Sequence, residues 1–369
     1  NKNKSLSDRH LKSTEEWAIT EYDNIVNSSG NEFFKPTYLE VSFGNTCNMK
    51  CVYCGPEFSS KWAEELKQQG PIKITDGPGE EQWLQGWQDL DNLVIPNRNH
   101  NPYIDAFWQW FPEIYPTLRH YRITGGEPLM SGNTWKLFDW FNEQESDMRF
   151  AINSNLVPDK EKTFQRLLDV IDYVPQFEMF TSCEATGTQA EYIRDGIDYD
   201  KWLSNCQRLL EQPKLNRMYI MMTINALCLC SITDFMDDML DIRVSNAVGP
   251  ILSLNPVYNP EFQSLSTFPT YILEHYHEKL KAWYDRRGSE LVDVEEVHVT
   301  RLISLLEKTI RNPHPEEVLK KRQGDFKSFY MQYDKRRGKD FASTFDPIVV
   351  DWYNSLTPTR VFNIEASNG

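Results

Sequence analysis

The feature that most narrows the fold is an alternation of short β-branched or aromatic runs with amphipathic stretches, starting at residue 37. "TYLEVSF" (37–43), "HYRIT" (120–124), "MRFAINS" (148–154), "FEMFTS" (177–182), "MYIMMTI" (218–224) and "PILSLNPV" (250–257) read as six strands. Each of the first five is followed by a helical pattern: "SSKWAEELKQQG", which starts on Ser and ends on Gly, then "NTWKLFDWFNEQ", "EKTFQRLLDVIDYV", "YDKWLSNCQRLLEQ" and "TDFMDDMLDI". A tryptophan-rich helix interrupted by Pro112, "YIDAFWQWFPEIYPTL", precedes the second strand, and its Trp108, Trp110 and Phe111 have the spacing of helix core. Strands alternating with helices imply an α/β fold with a parallel sheet. Right-handed crossovers curl six such units into a partial (β/α)6 barrel. Ligands of such sheets sit at the carboxyl ends of the strands.

The pattern divides the chain into three parts. Residues 1–36 form a polar N-terminal arm or cap with one short amphipathic stretch around Trp17, Ile19 and Tyr22. Residues 37–260 form the barrel, with an insertion rich in Gly, Pro, Asp and Asn at 70–101. Residues 261–369 form a helical C-terminal region, in which 269–287, 292–311, 314–323, 325–336 and 346–356 read as helices.

The formal net charge of −15 argues against nucleic acid as a partner, because such a surface repels phosphates. "KKRQGDFK" (320–327) and "DKRRGKD" (334–340) are the only basic clusters, each is interrupted by Asp, and both read as solvated helix faces. The first thirty residues lack the apolar core of a secretory signal. The longest apolar run, residues 218–230, is too short to span a bilayer, so no membrane partner is expected. Seven cysteines are an odd number, and a core of this size needs no disulfides. The expected location is a reducing cytoplasm.

Three of those cysteines fall in "CNMKCVYCGP": Cys47, Cys51 and Cys54, directly after the first strand. Three thiolates can hold an iron–sulfur cube with one iron left open to a ligand. Zinc is the rival reading, and it would need a fourth ligand from elsewhere. The nearest histidines, His10 and His100, are distant. "ITGGEPLM" (123–130) ends the second strand. Its paired glycines, Gly125 and Gly126, let backbone approach a ligand closely. Glu127 adds a carboxylate suited to an ammonium group, and Pro128 stiffens the exit.

With Tyr53 before the third cysteine, CxxxCxYC followed one β/α unit later by TGGEP resembles the radical S-adenosylmethionine (radical SAM) superfamily over residues 37–260. The resemblance implies a [4Fe–4S] cluster on Cys47, Cys51 and Cys54. It implies S-adenosylmethionine (SAM) chelating the open iron, with its amino group on Gly125, Gly126 and Glu127. One electron then cleaves SAM to a 5′-deoxyadenosyl radical, which takes a hydrogen atom from the substrate. A donor such as flavodoxin or ferredoxin is the implied electron source. By the same resemblance, Ser154, Asn155, Ser182 and Glu184 fall at strand ends that contact the ribose, and Arg194 of "EYIRDG" falls where an Arg contacts the SAM carboxylate. Asn225 and "LNPV" (254–257) border the adenosine.

The tail, "FKSFYMQYDKRRGKDFASTFDPIVVDW" (326–352), resembles the ending of radical SAM proteins with a twitch extension, and "CGPEFSSKW" (54–62) fits the same group. No cysteine follows residue 230, so Cys183, Cys206, Cys228 and Cys230 read as buried thiols rather than ligands of a second cluster. Three functions are carried forward. The first is a radical SAM enzyme acting on a peptide or protein side chain. The second is one acting on a small metabolite, as in deazapurine synthesis. The third is an iron–sulfur or zinc protein without turnover, which an intact GGEP turn disfavours.

Overall fold

The structure, a computed structural model, describes residues 13–75, 100–144 and 147–359. Most of the insertion expected at 70–101 lies outside the described residues. The amphipathic stretch of the arm forms two short helices, Glu16–Ile19 (α1) and Tyr22–Val26 (α2). Eight strands follow among the described residues: Tyr38–Ser42 (β1), Lys50–Cys51 (β2), His120–Thr124 (β3), Arg149–Ser154 (β4), Phe177–Thr181 (β5), Arg194–Asp195 (β6), Arg217–Ile224 (β7) and Ile251–Pro256 (β8).

Six of them form one sheet in the order β1-β3-β4-β5-β7-β8, every pair parallel. Each new strand adds on the same side of the last. A doubly wound sheet reverses its strand order midway; this one never does, so its crossovers all curl one way and the sheet is an open, partial barrel. Helices Ser60–Gln69 (α3), Pro102–Ile114 (α4), Gly132–Phe141 (α5), Glu161–Ile171 (α6), Gly187–Ile193 (α7), Tyr199–Leu210 (α8) and Ile232–Asp241 (α9) lie between the strands.

Strand alternation sorts the two faces of the sheet. Tyr121, Phe150 and Phe177 are register neighbours on β3, β4 and β5, all fully buried against Phe138 and Phe141 of α5. Arg122, Asn153, Phe180 and Tyr219 occupy the opposite face. Arg122 Nε donates to Asn153 Oδ1 at 3.0 Å and lies 4.0 Å over the Phe180 ring, which stacks on Tyr219. This second face is half-buried and polar. In α4 the core role falls to Phe111 with Trp108 partly buried. Trp110 is exposed, contrary to the core placement its spacing suggests.

The C-terminal region is helical: Thr270–Arg287 (α10), Asp293–Arg311 (α11), Glu316–Arg337 (α12), Phe341–Thr344 (α13) and Pro347–Ser355 (α14). Two expected helices, 314–323 and 325–336, are one. The break expected around Gly324 does not occur because this glycine is a packing contact. A Cβ there would stand 2.5 Å from Thr359 Cγ2. Helix α11 closes the open edge of β8. Leu252 N–H donates to Glu295 Oε1 at 2.7 Å and Leu254 N–H to His298 Nδ1 at 3.1 Å, so side chains satisfy an edge that would otherwise present unpaired backbone. Arg243 at 2.5 Å balances the fully buried Glu295.

Candidate functional site

The cysteine loop leaves the carboxyl end of β1 and is fixed on three sides. Toward the sheet, Gly126 N–H donates to Gly44 O at 3.1 Å and Glu127 N–H to Thr46 O at 2.7 Å. The double-glycine turn and the first cysteine are thus stitched together. The contact needs glycine. A Cβ on Gly126 would stand 2.5 Å from Thr46 O, and Gly125 has φ +123°, where Cβ-bearing residues are strained.

On the second side, β2 pairs antiparallel with β6, setting Cys51 opposite Arg194 and Lys50 opposite Asp195. The third side is the C-terminal region. Gln263 Nε2 donates to Val52 O at 2.7 Å. Arg337 of α12 donates to Lys50 O at 2.7 Å, pairs with Glu65 of α3 at 2.9 Å, and lies between the rings of Trp62 and Tyr333. The "DKRRGKD" cluster is therefore not a solvated face. Arg337 is 1% exposed, because two aromatic rings and a buried carboxylate offer a guanidinium more than water does.

Cys47, Cys51 and Cys54 are free and half-buried. Burial pushes the Cys47 thiol up to about 12, with Cys51 and Glu127 adding to the rise and a hydrogen bond from the Met49 amide opposing it. Burial also raises Cys54, and the other two sulfurs add to it, which places the three close enough to feel one another. Burial raises Cys51 as well, while Arg194 and then Arg337 favour its thiolate.

Glu127 is buried at the turn. Its Oε1 accepts from Ser154 Oγ at 2.8 Å and Leu129 N–H at 3.0 Å, and its Oε2 accepts from Asn155 N–H at 2.7 Å. Burial outweighs these donors and lifts its pKa to about 7. The Asn155 side chain bridges to Asn48 Oδ1 at 2.7 Å. Ser154 and Asn155 therefore brace Glu127 and the loop.

Glu184 and Arg194 form a buried pair at 2.6 Å. Tyr53 donates its hydroxyl to Glu184 at 2.9 Å, and the Arg194 guanidinium lies 5.5 Å from the Tyr53 ring. Ser182 is half-buried one residue beyond β5. Asn225 is buried and caps the turn at 227–230, accepting from the Leu227 and Cys228 amides at 3.0 and 3.1 Å. Pro128 opens the short helical turn after Glu127. Of the expected site residues, the thiol loop, Tyr53, Glu184 and Arg194 come together as one group, and Gly125 to Pro128 with Ser154 and Asn155 as another, joined through Thr46.

Cys183, Cys206, Cys228 and Cys230 are buried in the core. Cys230 Sγ accepts from the Tyr276 hydroxyl at 3.2 Å. Among the described residues no three His, Cys, Asp or Glu side chains are placed to share a single metal ion, and no helix is long and apolar enough to cross a membrane.

Sequence reasoning missed Arg337 and Gln263, whose roles depend on contacts more than 200 residues apart. Arg122 was missed too, although its alternation with the buried Tyr121 and Ile123 could have marked it. A cavity of about 510 Å³ was also missed. It opens at the carboxyl end of β8, between residues 256–266 and the segment from Leu305 to Arg322. A smaller one, about 50 Å³, lies against Tyr53, Cys54 and Gly55, and Asn259 lines both.

Fold and site define a class: an open, parallel α/β half-barrel that presents three free thiols beside a double-glycine turn at the carboxyl edge of its sheet. No protein-family model matches the chain, and no curated protein is significantly similar to it. Among solved structures it is similar to Streptococcus suis SuiB bound to S-adenosylmethionine, at 11% identity and a TM-score of 0.41, covering 77% of this chain and 55% of that one. It is also similar to SuiB bound to the precursor peptide SuiA, at 13% identity and 0.39, covering 77% and 53%. A third is TYW1 with a lysine–pyruvate adduct, at 13% and 0.36, covering 71% and 78%. The chain spans about half the length of the SuiB chains. Identities and scores this low confine the likeness to the general course of the chain.

Proposed function

We propose that the protein is a radical SAM enzyme. The observation that carries this reading is the pair of backbone hydrogen bonds that fasten the GGEP turn to the CxxxCxxC loop, Gly126 to Gly44 and Glu127 to Thr46. The donor set fits a [4Fe–4S] cluster: three sulfurs on one loop and, among the described residues, no fourth side chain converging with them. Zinc asks for all its ligands on one ion, whereas a cluster takes each thiolate on a different iron. When bound, the cluster and SAM would supply one-electron cleavage of the sulfonium and removal of a hydrogen atom from the substrate.

The chain's own residues have distinct tasks. Cys47, Cys51 and Cys54 hold the cluster. Arg194 and Arg337 place positive charge near Cys51, which offsets the negative charge gathered by three thiolates. Gly125, Gly126 and Glu127 receive the ammonium group of SAM, and Ser154 and Asn155 hold the Glu127 carboxylate in place for it. Ser182 and Glu184 face the ribose, Arg194 the carboxylate, and Asn225 supports the adenosine side by fixing the turn that follows it. Gln263 and α12 pack over the loop and exclude water.

An electron donor of the flavodoxin or ferredoxin kind and a cytoplasmic setting belong to the same reading, as do the three-part division of the chain and the twitch-like tail. The substrate expected first from the sequence is a peptide or protein side chain. The volume of the cavity at the carboxyl end of β8 favours the second, a small molecule.

The test is anaerobic reconstitution with iron, sulfide, SAM and a reductant. The expected result is a brown protein that releases 5′-deoxyadenosine, and a Cys51→Ala variant that does neither. Full cluster loading without SAM cleavage would leave the non-catalytic reading in its place.

A further inference from the structure

The cavity at the carboxyl end of β8 has a mixed lining. Pro256, Val257, Leu265 and Leu305 are apolar, and Lys308, His314 and Arg322 are basic. In a chain of net charge −15, three basic residues on one cavity are a local departure.

Arg322 belongs to "KKRQGDFK", the second cluster expected to be solvated, and its side chain is only 13% exposed. It is held from three directions. Glu261 pairs with it at 2.9 Å, Ser266 Oγ accepts from Nη1 at 2.9 Å, and His314 Nε2 lies 2.7 Å from the same nitrogen. A guanidinium has no acceptor, so His314 Nε2 accepts and is unprotonated. Burial and Arg322 both lower the His314 pKa, which agrees. Arg322 with Glu261 is therefore a fixed, internally balanced pair. Lys308 differs: its ammonium makes no ion pair among the described residues. The cavity thus carries one positive charge without an ion pair and a guanidinium whose position is already set.

We infer that this cavity binds a small molecule that carries a carboxylate or phosphate on an apolar body, with the anion on Lys308 and the body against Leu265 and Leu305. The volume of about 510 Å³ lies in the range of small-molecule sites. An ammonium and a preset guanidinium lining one cavity suit an anion. The position also fits use as substrate site. Asn259 borders both this cavity and the smaller one against Cys54, so the two are neighbours at the carboxyl edge of the sheet. The assignment as substrate site rests on the radical SAM reading; the binding chemistry does not.

The experiment measures binding of three probes to the full chain with its cluster loaded: benzoate, phenyl phosphate and neutral benzamide, by isothermal titration. A parallel assay follows SAM cleavage. Benzoate or phenyl phosphate should bind at least about tenfold more tightly than benzamide, as a charge-assisted contact requires. Lys308→Glu should remove that preference while leaving cluster content unchanged. Lys308 is exposed, so this variant will fold. Leu305→Trp, which adds bulk to the apolar lining, should weaken all three probes. Which anion binds better separates a carboxylate ligand from a phosphate one. If neither anion is preferred over benzamide, or if Lys308→Glu binds both anions as well as the parent does, the inference is overturned. Should the anions bind as expected while SAM is not cleaved, the cavity assignment stands and the enzymatic reading falls. Cleavage of SAM without anion binding is the reverse.

Discussion

Arg194 faces Cys51 across a two-residue antiparallel ladder. Its Nη1 lies 3.9 Å from the cysteine sulfur, and its Nε and Nη2 both reach Glu184 Oε2, at 3.0 and 2.6 Å. One guanidinium thus neutralises a buried carboxylate and sits beside a thiol that a cluster needs ionised. Replacing Arg194 with Met alone leaves Glu184 buried and unpaired, and should destabilise the fold by about 3–5 kcal/mol. The double variant Arg194→Met, Glu184→Gln should regain much of that loss in urea denaturation. Its cluster should still differ in reduction potential from the parent's, because the charge near Cys51 is gone.

Each of Cys47→Ala, Cys51→Ala and Cys54→Ala should fold and fail to retain a full cluster. Iron and sulfide content per chain is the measurement. By contrast Cys206→Ala should load fully, since Cys206 is buried in α8 away from the loop. It should lose only about 1 kcal/mol through the cavity it leaves.

Two glycines make a paired test. A methyl on Gly126 would overlap Thr46 O and the Asn45 backbone, so Gly126→Ala must push the cysteine loop away from β3. Cluster loading and SAM affinity should fall together, by tenfold or more in order of magnitude. Gly132, at the start of α5, has nothing within 4 Å of the added atom. Gly132→Ala should leave both properties intact and stabilise the fold by up to about 1 kcal/mol, since alanine is the better helix former.

Glu127 sets a pH dependence. Its pKa rises from 4.5 to about 7 on folding, chiefly through burial. The folded state therefore holds the proton where the unfolded state has lost it. The contribution of this group to stability is full below pH 4.5 and declines as pH rises toward 7, by about 3 kcal/mol at most. Glu127→Gln should flatten that part of the stability profile. An ammonium ligand reverses the preference, because it favours the carboxylate. SAM affinity of the wild-type protein should thus increase between pH 6 and pH 8, and that of Glu127→Gln should be weak and flat, as read by titration calorimetry at each pH.

Glu295→Ala should act far from the thiols. It strips β8 of the acceptor for Leu252 and leaves Arg243 buried without its partner. A loss of about 3–5 kcal/mol is expected in denaturant unfolding. Amide exchange should quicken first at Leu252 and its neighbours on the sheet edge.

Six strands and most of the helices between them were legible because each carries its signal locally. β7 reads "RMYIMMTI" and its burial alternates residue by residue. The thiol loop and the GGEP turn were legible for the same reason: the residue types sit side by side in the chain. β2 and β6 were not. Two residues have no periodicity to read, and their pairing joins positions 51 and 194.

The sequence by itself determined the order and direction of the sheet and the three sulfurs placed after its first strand, since both follow from spacing within some tens of residues. Only the tertiary structure decided which charges lie buried against those sulfurs. Arg337, in a cluster that reads as a solvated helix face, looks like a surface residue in the sequence, because nothing next to it in the chain is its partner. Burial of a charge is settled by what folds onto it, and for Arg337 that is Glu65 and Trp62, brought up from a distant part of the chain.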